Sequence, residues 1–123
     1  MMYTQEQKQK ICENVDKIKA YIQTLQPQLR EWITIDFGEE KDYGWTREKE
    51  CHLTVYEDEI CGRIGGLKIV FDWDEGSSLS ASVYRWFDYT IQLIENWQYI
   101  KKTLLEEIAK QQAIIDTIND FEI

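Results

Sequence analysis

With 123 residues, 43% of them hydrophobic, the chain fits one domain that buries a single core without disulfides or metal, and it is not a disordered polypeptide. Its formal net charge of −9 opposes a nucleic-acid or anionic-membrane partner, because neutralising phosphate calls for Lys and Arg. No apolar run exceeds three residues, which excludes a membrane-spanning helix, and Met1 to Lys10 lacks the apolar stretch of a signal peptide.

The first element is a helix over about residues 4–26. Thr4-x-x-Gln7 has the form of a capping box. Ile11, Val15, Ile18, Ile22 and Leu25 then recur at alternating steps of four and three, one narrow apolar seam. Pro27, the only proline, disfavours helix at Gln26 and ends the element.

A sheet region follows, over about residues 31–74. Trp32 to Phe37 is β-branched and aromatic, with Ile33, Ile35 and Phe37 on one face. Gly38 to Glu50 reads as a long loop, with five acids, two glycines, Tyr43 and Trp45. Cys51 to Tyr56 alternates, with Cys51, Leu53 and Val55 inward. Glu57-Asp58-Glu59 is a turn, Ile60 to Ile64 returns as a strand, and Gly65-Gly66 marks a second turn. Leu67 to Trp73 is a further strand, with Leu67, Ile69, Phe71 and Trp73 on one face.

From Ser77 onward there is no Gly or Pro. The helical region spans about residues 80–120, with Ser80 or Ser82 as N-cap. Its apolar stripe runs through Val83, Trp86, Phe87, Thr90, Ile91, Ile94, Trp97, Ile100, Leu104, Ile108, Ile115, Ile118 and Phe121. A single helix of about 40 residues would be about 60 Å long, against a radius of gyration of about 14 Å for a compact chain of this size. The helix must therefore break, project, or pack against a second copy; residues 80–90 offer one place for a break, since Leu79 to Trp86 also reads as a short strand. The fold class is α+β within one domain, 1–123: an N-terminal helix, a small antiparallel sheet of three to four strands, and a long C-terminal helix or helix pair.

No residue set carries recognisable catalysis. His52, the only histidine, has no nucleophile motif or glycine elbow around it, and strand parity turns it away from Cys51. Three cysteines, Cys12, Cys51 and Cys61, form no disulfide framework and no zinc spacing, although Cys51 and Cys61 could approach across a hairpin. They fit buried thiols in a reducing, cytoplasmic setting. Asp72-x-Asp74 beside Glu75 lacks the terminal acid of an EF-hand loop. Gly62-x-x-Gly65-Gly66 precedes a strand rather than a helix, so it is a turn and not a phosphate cradle. No metal and no cofactor are expected.

Charge distribution carries the functional expectation. Residues 1–35 have net charge +1, residues 36–75 have −7, and residues 76–123 have −3. An acidic middle steers basic partners. The expected partner-binding set is Asp36, Glu39, Glu40, Asp42, Trp45, Glu57, Asp58, Glu59, Asp72, Trp73, Asp74 and Glu75, in which exposed tryptophans inside an acidic patch would act as hot spots. The leading expectation is a non-enzymatic inhibitor whose carboxylates mimic nucleic acid toward a basic protein such as a nuclease, of the phage anti-defence or immunity type. The alternatives are a homodimeric adaptor or chaperone-like module paired through its long helices, and an oligomeric binder of a nucleotide-like molecule using Arg63, Tyr84, Arg85 and Trp86.

Overall fold

A computed structural model describes residues 3–70 and 80–123, with backbone alone at 67, 69–70 and 80–86. Helix α1 (Gln5–Leu25) opens on the expected capping box: Thr4 Oγ1 accepts from the Gln7 backbone N–H at 3.1 Å, and Gln7 Oε1 accepts from the Thr4 N–H at 2.9 Å. The five seam residues, Ile11, Val15, Ile18, Ile22 and Leu25, are all buried. Pro27 sits inside a short 3₁₀ turn (Gln26–Gln28) that ends the helix.

Four strands follow: β1 (Ile33–Asp42), β2 (Arg47–Val55), β3 (Ile60–Ile64) and β4 (Leu67–Val70). They form an antiparallel sheet in the order β1-β2-β3-β4. Ile33, Ile35, Phe37, Cys51, Leu53, Val55 and Ile64 face the helices and join one core cluster with the α1 seam. Burying each such aliphatic side chain is worth about 1.5–3 kcal/mol relative to leaving it exposed.

Gly38 to Glu50 is not a loop. β1 continues to Asp42 and β2 begins at Arg47, so only the segment from Tyr43 to Thr46 turns, closed by Tyr43 N–H to Thr46 O at 2.9 Å. The physical reason is cross-strand charge matching: Glu40 faces Lys49, Lys41 faces Glu48, and Asp42 faces Arg47. A register shift between Phe37 and Glu40 marks a bulge. Gly38 adopts φ 87° there, and the Gln92 side chain of the next helix occupies the space a side chain would need. β4 ends its described span at Val70; Phe71 and Trp73 lie outside the described residues.

The C-terminal helical region is a pair, α2 (Ser80–Glu95) and α3 (Trp97–Asn119). The break falls at Asn96, beyond the 80–90 range read from sequence. The backbone ladder passes through it, from Asn96 N–H to Gln92 O and from Ile100 N–H to Asn96 O, both 2.9 Å. Asn96 Nδ2 donates to the same Gln92 carbonyl at 2.8 Å, the kind of local side-chain bond that competes with a regular helix. The side chains of Ser80 and Ser82, the expected caps, lie outside the described set.

The buried face of the pair also differs from the expected stripe. Tyr89, Thr90 and Leu93 are buried on α2, while Phe87, Ile91 and Ile94 are only partly covered. The Tyr89 ring lies against Gly62, where an added Cβ would come within 2.6 Å of it, and its hydroxyl donates to His52 O at 3.0 Å. On α3, Ile100, Leu104 and Ile108 are buried as expected, but Ile118 is 68% exposed, and Phe121, just past the end of the helix, is 73% exposed. The last turns of α3 overshoot the sheet.

Candidate binding site at the acidic end of the sheet

The eight described residues of the expected partner-binding set do not form one face. Asp36 lies on the outer face of the sheet, where His52 Nδ1 is 2.6 Å from its Oδ1. Glu39, Glu40 and Asp42 lie in the outer half of the β1–β2 hairpin. Glu57, Asp58 and Glu59 lie in the β2–β3 turn, at the opposite end of β2. On β2 the register partners of Glu40 and Asp42, Lys49 and Arg47, lie six and eight residues before Val55, about 20–26 Å from the turn. Asp72, Trp73, Asp74 and Glu75 lie outside the described residues.

Three of the five hairpin acids are in ion pairs. Lys41 Nζ lies 3.5 Å from Glu39 and 3.9 Å from Glu50, and Arg47 lies 3.8 Å from Glu40. Asp42 Oδ1 accepts from the Gly44 N–H at 2.9 Å, shaping the turn. Trp45 stands at its tip, 87% exposed, with Tyr43 beside it. Glu59 pairs with Lys68 at 3.6 Å. Glu57 and Asp58 enter no ion pair among the described residues.

Those two acids border a groove of about 320 Å³ lined by Leu29, Arg30, Glu31, Trp32, Tyr56, Glu57 and Asp58. Trp32 is 61% exposed and packs against Tyr56 in a tilted pair, with ring centroids 6.2 Å apart and planes inclined by 40°. The pair exists because Ile33 faces Val55 in the sheet, which sets the preceding and following residues opposite each other.

Two glutamines brace the groove walls. Gln111 of α3 accepts from the Arg30 N–H at 2.8 Å and the Glu31 N–H at 3.2 Å, and donates to Glu31 O at 3.0 Å. Gln26, buried at the end of α1, donates to Tyr56 O at 2.9 Å and Glu59 O at 3.3 Å. One amide fixes the wall carrying Trp32, and the other fixes the wall carrying Tyr56. The same end of the molecule carries the overshoot of α3, where exposed Ile114, Ile118 and Phe121 lie one to three turns past Gln111.

Sequence reasoning selected Glu57 and Asp58 but missed Trp32, Tyr56, Gln26 and Gln111. The signal for Trp32 and Tyr56 was present, since each flanks the inward alternation of its strand on the solvent side. The glutamines gave none, because their roles depend on contacts 30 to 81 residues away.

Burial pushes the Cys51 thiol up to about 12, helped by the nearby Glu50 and Asp88. Burial also raises Cys12, and raises Cys61 together with a hydrogen bond to Glu59, so all three thiols are held protonated and poorly nucleophilic. Cys51 faces the core while Cys61, opposite Thr54, lies on the other face, so the two do not meet across the hairpin. Arg63 lies on the outer face opposite His52, and the side chains of Tyr84, Arg85 and Trp86 lie outside the described set. Among the described residues no three of His, Cys, Asp and Glu converge on a possible metal position, and no helix is long and apolar enough to cross a membrane. No protein-family model, curated protein or solved structure matches the chain.

Proposed function

We propose that this chain is a non-enzymatic binding protein that engages a basic protein through the Trp32–Tyr56 end of its sheet. The observation that carries this reading is the division of the acids. Three of the five hairpin acids, Glu39, Glu40 and Glu50, pair with Lys41 and Arg47, whereas among the described residues Glu57 and Asp58 are left without ion pairs beside an exposed aromatic pair. Uncompensated carboxylates supply the field that steers a basic partner. Exposed Trp and Tyr supply area that is desolvated on contact. An aromatic anchor with an acidic rim favours a protein interface of ordinary anatomy over a regular carboxylate array spaced like phosphates. Inhibition of a basic enzyme such as a nuclease is one use of such an interface, and a cytoplasmic setting suits its protonated thiols.

The test is capture of partners from a lysate of the source cells by wild-type protein and by W32A. The expected result is a basic protein released by rising salt from the wild type and absent from W32A, whose circular dichroism is unchanged. Equal capture by both forms sinks the reading.

The exposed α3 stripe favours a second use of the same end. Ile114 and Ile118 continue the apolar side of α3 that is buried at Ile100, Leu104 and Ile108, Phe121 follows just past the helix end, and a second copy could cover them as a homodimer. Light scattering at tens of micromolar separates the two: a monomer leaves the stripe to the basic partner.

A further inference from the structure

We infer that the groove beside the Trp32–Tyr56 pair is a socket for a single arginine side chain of the basic partner, an inference that rests on the reading above. The groove is about 320 Å³, at the low end for ligand sites of ~300–1,000 Å³, and so suits one long side chain better than a folded cofactor. Its floor is apolar at buried Leu29 and aromatic at Trp32 and Tyr56. Its rim holds three carboxylates, Glu31, Glu57 and Asp58, against one guanidinium, Arg30. None of the three carboxylate side chains is in an ion pair among the described residues.

A flat, weakly hydrated guanidinium suits this combination. It stacks on an aromatic face while its edge donates to carboxylates, and its methylene stem covers apolar floor. A lysine ammonium keeps more of its hydration and cannot donate in a bidentate fork. The walls are preorganised by the Gln111 and Gln26 amides, which lowers the ordering cost of filling the groove. Arg30, of like charge, opposes the incoming guanidinium.

The test is an NMR titration of the full ¹⁵N-labelled chain with Nα-acetyl-arginine N-methylamide, alongside the lysine and leucine analogues. The expected result is saturable shifts in about the millimolar range, centred on the Trp32 indole N–H and the amides of Arg30 to Trp32 and Tyr56 to Asp58. The lysine analogue binds about threefold more weakly, and the leucine analogue does not saturate. D58N weakens the arginine probe and R30Q tightens it about twofold, while W45A leaves it unchanged. Neither D58N nor R30Q alters the core, so both stay informative even if W32A misfolds. Non-saturating shifts spread over the hairpin acids, or equal binding of the leucine analogue, overturn the socket. If E57Q/D58N loses the basic partner while the arginine probe fails to saturate, the basic-partner reading stands and the socket falls. If the probe saturates while E57Q/D58N still holds the partner, the groove takes an arginine but not the partner's, and the assignment of the basic partner to this end fails.

Discussion

At one end of the β1–β2 ribbon, Glu40, Lys41 and Asp42 face Lys49, Glu48 and Arg47. At the other, Trp32 packs against Tyr56 beside Glu57 and Asp58, and neither acid has an ion-pair partner among the described residues. Both ends combine carboxylates with exposed aromatics. The hairpin pairs Glu39, Glu40 and Glu50 with Lys41 and Arg47 and leaves Asp42 and Glu48 outside ion pairs, whereas at the groove Glu31, Glu57 and Asp58 all stay outside them among the described residues. Net charge gives the sum of acids and bases, but the field a partner meets depends on which acids remain after intramolecular pairing. In the hairpin, charge specifies register; at the groove, it is free for recognition.

The comparison breaks most sharply at the core. Phe37, whose ring is buried against Tyr89 at a centroid distance of 5.6 Å, lies in the apolar half of the ribbon. Phe37→Ala should cost about 3–5 kcal/mol, whereas Trp45→Ala at the exposed tip should stay within about 0.5 kcal/mol. Urea denaturation of both variants checks the contrast, and a large loss for Trp45→Ala would show that the tip is structural.

Alkaline pH probes the same buried half. The folded chain keeps Cys51 protonated up to about 12, while an unfolded chain ionises it near 9.0. The unfolded state therefore binds fewer protons between these values, so stability should be level below about pH 9 and fall as pH rises toward 12. Burial raises Tyr89 in the same direction. Cys51→Ala should flatten part of the decline, and an unchanged slope would assign the decline to other groups.

The groove walls sharpen the comparison. Gln111→Ala removes three hydrogen bonds to the Arg30–Glu31 backbone and should cost about 1–2 kcal/mol. It should also raise hydrogen exchange at the Arg30 and Glu31 amides while leaving the hairpin tip unaffected. The smallest effect belongs to the hairpin: Lys49→Glu faces Glu40 with a like charge and should cost about 0.5 kcal/mol. Adding Glu40→Lys should restore it, as a double-mutant cycle would read.

Much of this architecture was legible. The α1 seam, the inward alternation of Ile33, Ile35, Phe37, Cys51, Leu53 and Val55, and the turns at Glu57 and Gly65 follow from local periodicity and turn chemistry. The hairpin from Gly38 to Glu50 was not, because each strand alone looks like a polar loop and the matching of acids to bases exists only in antiparallel register. The break at Asn96 carries neither Gly nor Pro. On α2, Tyr89 and Leu93 displace the Ile91 and Ile94 stripe because Gly62 opens space for the tyrosine ring, a contact no helical pattern encodes. At the site, the acids were visible by composition, but their division into paired and unpaired groups required the fold.

The most direct test of the central claim compares two neutralised pairs, E57Q/D58N at the groove and E40Q/D42N in the hairpin, which change net charge equally. Binding of the captured basic partner is measured at low salt with both variants confirmed as folded. The account predicts that E57Q/D58N weakens binding about fivefold or more while E40Q/D42N stays within about twofold. Equal losses in both would show that bulk acidity, not the Trp32–Tyr56 end, holds the partner.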